Sequence, residues 1–389
     1  MSTLAATVIR RLFMRDGMIE RPKSYVVEKA ARNPWRRLPI LEHAKMTRRN
    51  CHTVLALTFG LCIGFSARTH PQESAVLPDY VPLLPTTRQK APIIDPHKGY
   101  FVKELKPDVY MITEGAYESV FVRTGNGVVL FDAPPSFAEH ISQAVADVTS
   151  EPIVELVYSH IHIDHIGGAG LILQRHPKVQ IVAEEKTAEF LREIHDSRRP
   201  VPTLTFKDHY TLKLGSLTAN MKLGHWHTPE GDLLISIPYK KVVIAIDAFS
   251  SGATPFMGLD LTMNMHDYMK FFDQLKAMDF DVIVPGHHSL PASREDLETA
   301  RIYVSDVYDT MARELADDHK ALKSQAIAKY GPENGWAIAS VLINSEVKDC
   351  ANQIKERWVT KLEGVDIWAA SHCRTALVYA EWDAGVGPR

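Results

Sequence analysis

The residues best able to do chemistry sit in one short stretch, Ser159-His160-Ile161-His162-Ile163-Asp164-His165-Ile166-Gly167-Gly168, where three histidines and a carboxylate fall within six residues. Neutral imidazole and carboxylate oxygen are the donors that a borderline cation such as zinc accepts, and in a turn leaving a strand end they converge without a dedicated helix face. His160 and His162 are two residues apart and can point to one side, while Asp164 and His165 continue around the turn toward another. The spacing suggests two adjacent metals. Gly167-Gly168 permits a tight exit and a close backbone approach before the next helix. A lone histidine is more often a hydrogen-bonded core or surface residue than a ligand. Four potential ligands together, flanked by apolar Ile161, Ile163 and Ile166, read differently, because unpaired polar groups at a strand mouth are costly.

The stretch resembles the His-x-His-x-Asp-His motif of the metallo-β-lactamase superfamily, and the resemblance covers about residues 99–290. Asp132 closes the apolar run Val128-Val129-Leu130-Phe131, as an Asp closes an early strand in that family. His227 precedes Thr228-Pro229, Asp247 ends Val242-Val243-Ile244-Ala245-Ile246, and His287 follows Pro285-Gly286. Taken singly these are ordinary turn and loop residues; here they occur in the family's order. The Thr-Pro that follows favours His227 over His225, and the preceding Gly286 favours His287 over His288. The resemblance implies that His160, His162 and His227 bind one zinc, that Asp164, His165 and His287 bind a second, and that Asp247 bridges them. Asp132 resembles the carboxylate that orients the ligands, and Asp132 and Asp164 are the candidate catalytic residues, Asp164 handling the proton.

From the same resemblance follow an α/β fold, the αββα sandwich with added C-terminal helices, and a zinc-dependent hydrolase. A hydroxide held between two zincs serves as nucleophile, since zinc lowers the pKa of bound water to about 7. Asp247 at the bridging station is similar to the glyoxalase II and lactonase branches, whereas true β-lactamases place Cys there or lack a bridging carboxylate. The expected substrate is a small ester, lactone or thioester. Ala248-Phe249-Ser250-Ser251-Gly252 departs from a lactonase's tyrosine-bearing loop. The alternatives are β-lactam hydrolysis, a mononuclear iron oxidoreductase on the same fold, and a non-catalytic binding protein; iron and manganese are the alternative metals. Tyr117 and Ser119, in an early loop able to overhang the metals, are candidate substrate contacts.

Around these residues the positioning elements are legible. β-Branched and aromatic runs predict strands over 101–106, 109–113, 120–124 and 128–131, with Gly125-Asn126-Gly127 as a hairpin turn. Phe137, Ile141, Val145 and Val148 recur at helical spacing over 136–148, and a strand follows over 153–158. A helix over 170–175, strands near 179–183, 212–214, 233–237 and 242–246, and helices over 266–278 and 295–315 continue the pattern. Further helices reach about Leu362, and 375–382 reads as a last strand. Trp358, Trp368, His372 and Trp382 read as packing residues, and the region 291–389 as a cap on the cleft or a dimerisation surface.

The 389 residues, 45% hydrophobic and 23% charged, exclude a mainly disordered, collagen-like or multi-span membrane chain. Residues 1–50 hold 12 Lys+Arg against 4 Asp+Glu, and the rest 32 against 43. The acidic body lacks the basic stripe of a nucleic-acid binder, so the expected partner is a small molecule; dimerisation stays open. The 12-residue apolar run Val54–Phe65, after Arg48-Arg49 and before Ser66-Ala67, reads as an export signal and is too short for a stable membrane span. Met46 immediately precedes the basic segment of this signal and is the expected true start, which makes 1–45 a non-native extension, 46–67 the signal and the mature protein periplasmic or secreted. Prolines mark 68–97 as an extended linker, ahead of a catalytic domain over 98–290. Cys350 and Cys373 remain after cleavage, either as one disulfide or as two buried thiols.

Overall fold

Near-continuous apolar runs bury most strands on both faces, and this dictates the layering. The computed structural model describes residues 77–386 except Ser289, so the expected extension 1–45 and export signal 46–67 lie outside the described residues. β1 (Phe101–Lys106), β2 (Val109–Thr113), β3 (Glu118–Arg123), β4 (Val128–Phe131), β5 (Ile153–Val157), β6 (Gln180–Glu184) and β7 (Leu204–Phe206) form a seven-stranded sheet in chain order. It is antiparallel from β1 to β4 and parallel from β4 to β7. β8 (His209–Leu214), β9 (Leu217–Gly224), β10 (Asp232–Ile237), β11 (Val242–Ile244) and β12 (Val282–Val284) form a second sheet in which only β11 and β12 run parallel.

Along β4, Val129 and Phe131 join Leu233, Ile235 and Ile244 in a core shared by the two sheets. Val128 and Leu130, on the other face, pack with Ile141 of α2 (Ala138–Ala146) and Ile172 of α4 (Ala169–Arg175). On the far face of the second sheet, Val243 and Ile283 meet α6 (Met265–Ala277), α7 (Arg294–Ala316), α9 (Gly335–Trp358) and α10 (Val365–Val378). Three cores separated by two sheets make the αββα sandwich, with C-terminal helices added to the second outer layer.

The strand expected over 375–382 is instead the end of α10 followed by a π-helical turn, Tyr379–Asp383. Ala369, Cys373, Ala376, Leu377 and Ala380 are all buried at helical spacing, and a short apolar run does not by itself separate strand from buried helix. Cys350 and Cys373 form a disulfide that ties α9 to α10. Of the expected linker 68–97, the described part, 77–97, is irregular apart from α1 (Pro85–Lys90), and it is no free spacer. Val81 N–H donates to Asp366 Oδ2 at 2.7 Å and Leu84 N–H to Glu363 Oε1 at 2.9 Å, strapping it to the C-terminal helices. No helix of the described residues is long and apolar enough to cross a membrane.

Candidate metal centre

Each strand that feeds the centre ends in a sharp departure from extended backbone. Asp132 after β4 and Asp247 just beyond β11 have φ of 62° and 55°, left-handed values that Asp tolerates better than most residues. After β5 the motif turns through the short helix α3 (Ile163–Ile166). Gly167 and Gly168 have ordinary negative φ; what requires glycine is contact, since a Cβ would lie 2.3 Å from the Ile163 carbonyl and 2.4 Å from Ala138 Cβ. His287 follows β12 through Gly286, whose φ is 96°.

These departures bring seven side chains together in two groups. His160, His162, His227 and Asp247 form one, Asp164, His165 and His287 the other, with the donor atoms of each group within 4.8 Å of one another. Asp247 faces both. Its Oδ2 lies 3.3 Å from His160 Nε2 and 3.2 Å from His227 Nε2, and its Oδ1 lies 3.1 Å from His165 Nε2 and 3.0 Å from His287 Nε2. Between the groups' own members, His227 Nε2 faces His162 Nδ1 at 2.7 Å and His165 Nε2 faces His287 Nε2 at 3.1 Å. His160 Nε2 and Asp247 Oδ1 are buried without a hydrogen bond. Lone-pair atoms converging on shared points, and left unsatisfied there, fit a divalent cation in each group. His225 and His288 belong to neither group.

Electrostatics favours the ligating forms of His160, His162 and Asp247, whereas at His227 and His287 the Asp247 carboxylate outweighs burial, raising His227 to about 9 and His287 above the ordinary imidazole value. Burial pulls His160 well below the ordinary imidazole range and His162 down to about 4, so both are neutral donors. Burial alone would raise Asp247, but His165, His160 and His227 around it outweigh that and hold it well below the carboxylate range.

Of the other expected residues, Tyr117 lines the cleft, its ring centroid 4.8 Å from that of His287. Ser119 does not line it: the residue is buried inside β3, and its hydroxyl, 3.0 Å from the Phe131 and Asp132 carbonyls, turns to the end of neighbouring β4. Asp132, expected beside Asp164 as catalytic, also lies beneath the cleft. Its Oδ1 accepts the Ser159 N–H at 2.7 Å, which fixes the backbone one residue before His160. Burial pushes its carboxyl up to about 6.

Three further buried carboxylates were not singled out from the sequence. Asp232 accepts the His227 N–H at 2.9 Å and the Thr228 N–H at 3.1 Å, closing the turn that carries His227. Glu118 accepts the Gly286 N–H at 3.0 Å while its own N–H donates to the Gly286 carbonyl at 2.9 Å, clamping the turn before His287. Asp260 sits in a left-handed helical turn, Met257–Leu261, and its carbonyl accepts from His227 Nδ1, which leaves Nε2 to face Asp247. The position of Asp232 just after a His-Thr-Pro turn was a usable signal; Glu118 and Asp260 carried none.

Residues 112–287 match the family model described as the metallo-beta-lactamase superfamily. These residues belong to that superfamily. Solved structures similar to the chain include a metallo-beta-lactamase from Pontibacter korlensis, 20% identical with TM-score 0.45, covering 52% of this chain and 97% of that one. Another is a metallo beta lactamase from Hirschia baltica, 19% identical with TM-score 0.44, covering 52% of this chain and 96% of that one. No curated protein matches the sequence. The superfamily match and the two His/Asp groups together support a metal-dependent hydrolase.

Proposed function

We propose that the protein is a dinuclear zinc hydrolase of small esters, lactones or thioesters. The observation that carries this reading is the placement of Asp247, one carboxylate oxygen toward each histidine group. Bound in the two groups, zinc would supply a water ionisable near neutral pH and would polarise the substrate carbonyl. His160, His162 and His227 would hold one cation and Asp164, His165 and His287 the other. Asp164, its side chain 38% exposed, would take up and return a proton at the cleft. Asp132, Asp232 and Glu118 keep the ligand-bearing backbone fixed. A carboxylate rather than a thiol at position 247 supports ester, lactone or thioester over β-lactam as substrate.

We also infer export to an oxidising compartment; the buried Cys350–Cys373 disulfide supports it. Metal quantification on the purified protein, coupled to a panel of lactone, ester, thioester, β-lactam and phosphodiester substrates, tests the function. Two zincs per chain with turnover of the first three classes are expected. A single iron with oxygen-dependent turnover contradicts it.

A further inference from the structure

The cleft over the metal centre has a volume of about 630 Å³, and two chemistries share its lining. His162, Asp164, His227, Asp247 and His287 supply the polar part. Phe256, Leu261, Ile367, Trp368 and Leu83 supply an apolar wall. Four of these are large apolar side chains left 36–54% exposed, an arrangement that costs hydration free energy unless something apolar covers it. The wall is held in place. The Phe256 and Trp368 rings pack edge to face at 4.8 Å, the Phe256 carbonyl lies 2.9 Å from His372 Nε2, and the Gly258 N–H donates to Ser371 Oγ at 3.1 Å. Leu83 lies between the two hydrogen-bonded anchors of the strap, Val81 and Leu84. Among the described lining residues none is Lys or Arg, while Asp164, Asp260 and Glu363 add carboxylates. Apart from the cations proposed for the two metal groups, an anionic group on the substrate would find no Lys or Arg here to pair with.

We propose that the cleft selects uncharged substrates whose non-reacting part is an extended apolar chain, seated against Phe256, Leu261, Ile367, Trp368 and Leu83. The proposal deepens the hydrolase reading and rests on it for the reaction. It disfavours carboxylate-bearing β-lactams and anionic thioesters on the same grounds.

The test uses the zinc-loaded protein and unbranched ethyl esters from acetyl to octanoyl, with alkyl hydroxamates of the same lengths read by calorimetry. The expected result is a rise in kcat/KM of about fourfold per added methylene, with hydroxamate affinity rising in parallel. Trp368→Ala and Ile367→Asp should each flatten both slopes while zinc content stays the same. Rising hydroxamate affinity without hydrolysis of any ester would uphold the apolar wall and sink the esterase reading instead. Flat slopes in both series overturn the proposal. So does an Ile367→Asp variant that keeps the wild-type slopes but changes oligomeric state, which would make the wall a contact between copies.

Discussion

Asp247 turns its two oxygens toward different histidine groups, and it is buried among four imidazoles. Asp247→Ala should therefore remove activity and lower the zinc content of a protein that still folds, measured by elemental analysis beside circular dichroism. The residues that hold ligand-bearing backbone act more gently. Asp232→Ala, which frees the His227 turn, should weaken zinc affinity by about 10- to 100-fold, read by competition with a chromogenic chelator. At this scale the sequence was most legible where donors are adjacent in the chain, as in His160 to His165. It was least legible for Glu118, whose partner Gly286 is 168 positions away and whose contact is with backbone, which leaves no residue-type signature.

Among the elements, the left-handed turn Met257–Leu261 has the plainest physical demand. Leu259, Asp260 and Leu261 all have φ between 54° and 60°, at roughly 1 kcal/mol or more each. Buried Leu259 and the hydrogen bonds from α10 hold the turn against that cost, and the turn in turn fixes His227. His372, fully buried in α10, lies 2.7 Å from Tyr303 Oη through Nδ1. Burial pulls it down to about 4 from an ordinary 6.5. The unfolded chain thus binds the proton more readily, so stability is complete above pH about 6.5 and falls as pH drops toward about 4, by roughly 3 kcal/mol for this group. Urea titrations should show that loss, and His372→Gln should reduce it. Cys373→Ala, opening a disulfide of sequence separation 23, should cost about 2–4 kcal/mol in the same assay. Strands β1, β2 and β4 agree with their β-branched and aromatic runs and turn punctuation, whereas the strand expected at 375–382 failed because buried Ala and Leu at helical spacing also make a continuous apolar run.

For the whole molecule, the strap through Leu83 and the C-terminal layer through Ile367 and Trp368 both line the cleft, joined by the hydrogen bonds from Val81 and Leu84. The sandwich was legible because its strands and site residues follow one another in a recognisable order. The joint role of strap and C-terminal helices was not, because it depends on two hydrogen bonds spanning 285 and 279 positions. Replacing Glu363 and Asp366 together by Ala should release the strap at a cost of roughly 1 kcal/mol per lost bond, and limited proteolysis should then cut within 79–98. The central claim is a pair of cation positions sharing Asp247. Anomalous scattering at the zinc edge from zinc-loaded crystals measures it most directly. Two peaks are expected, one within about 2.0–2.2 Å of donor atoms of His160, His162 and His227, the other of Asp164, His165 and His287, with Asp247 reaching both. A single peak, or two peaks with Asp247 bonded to neither, would contradict it.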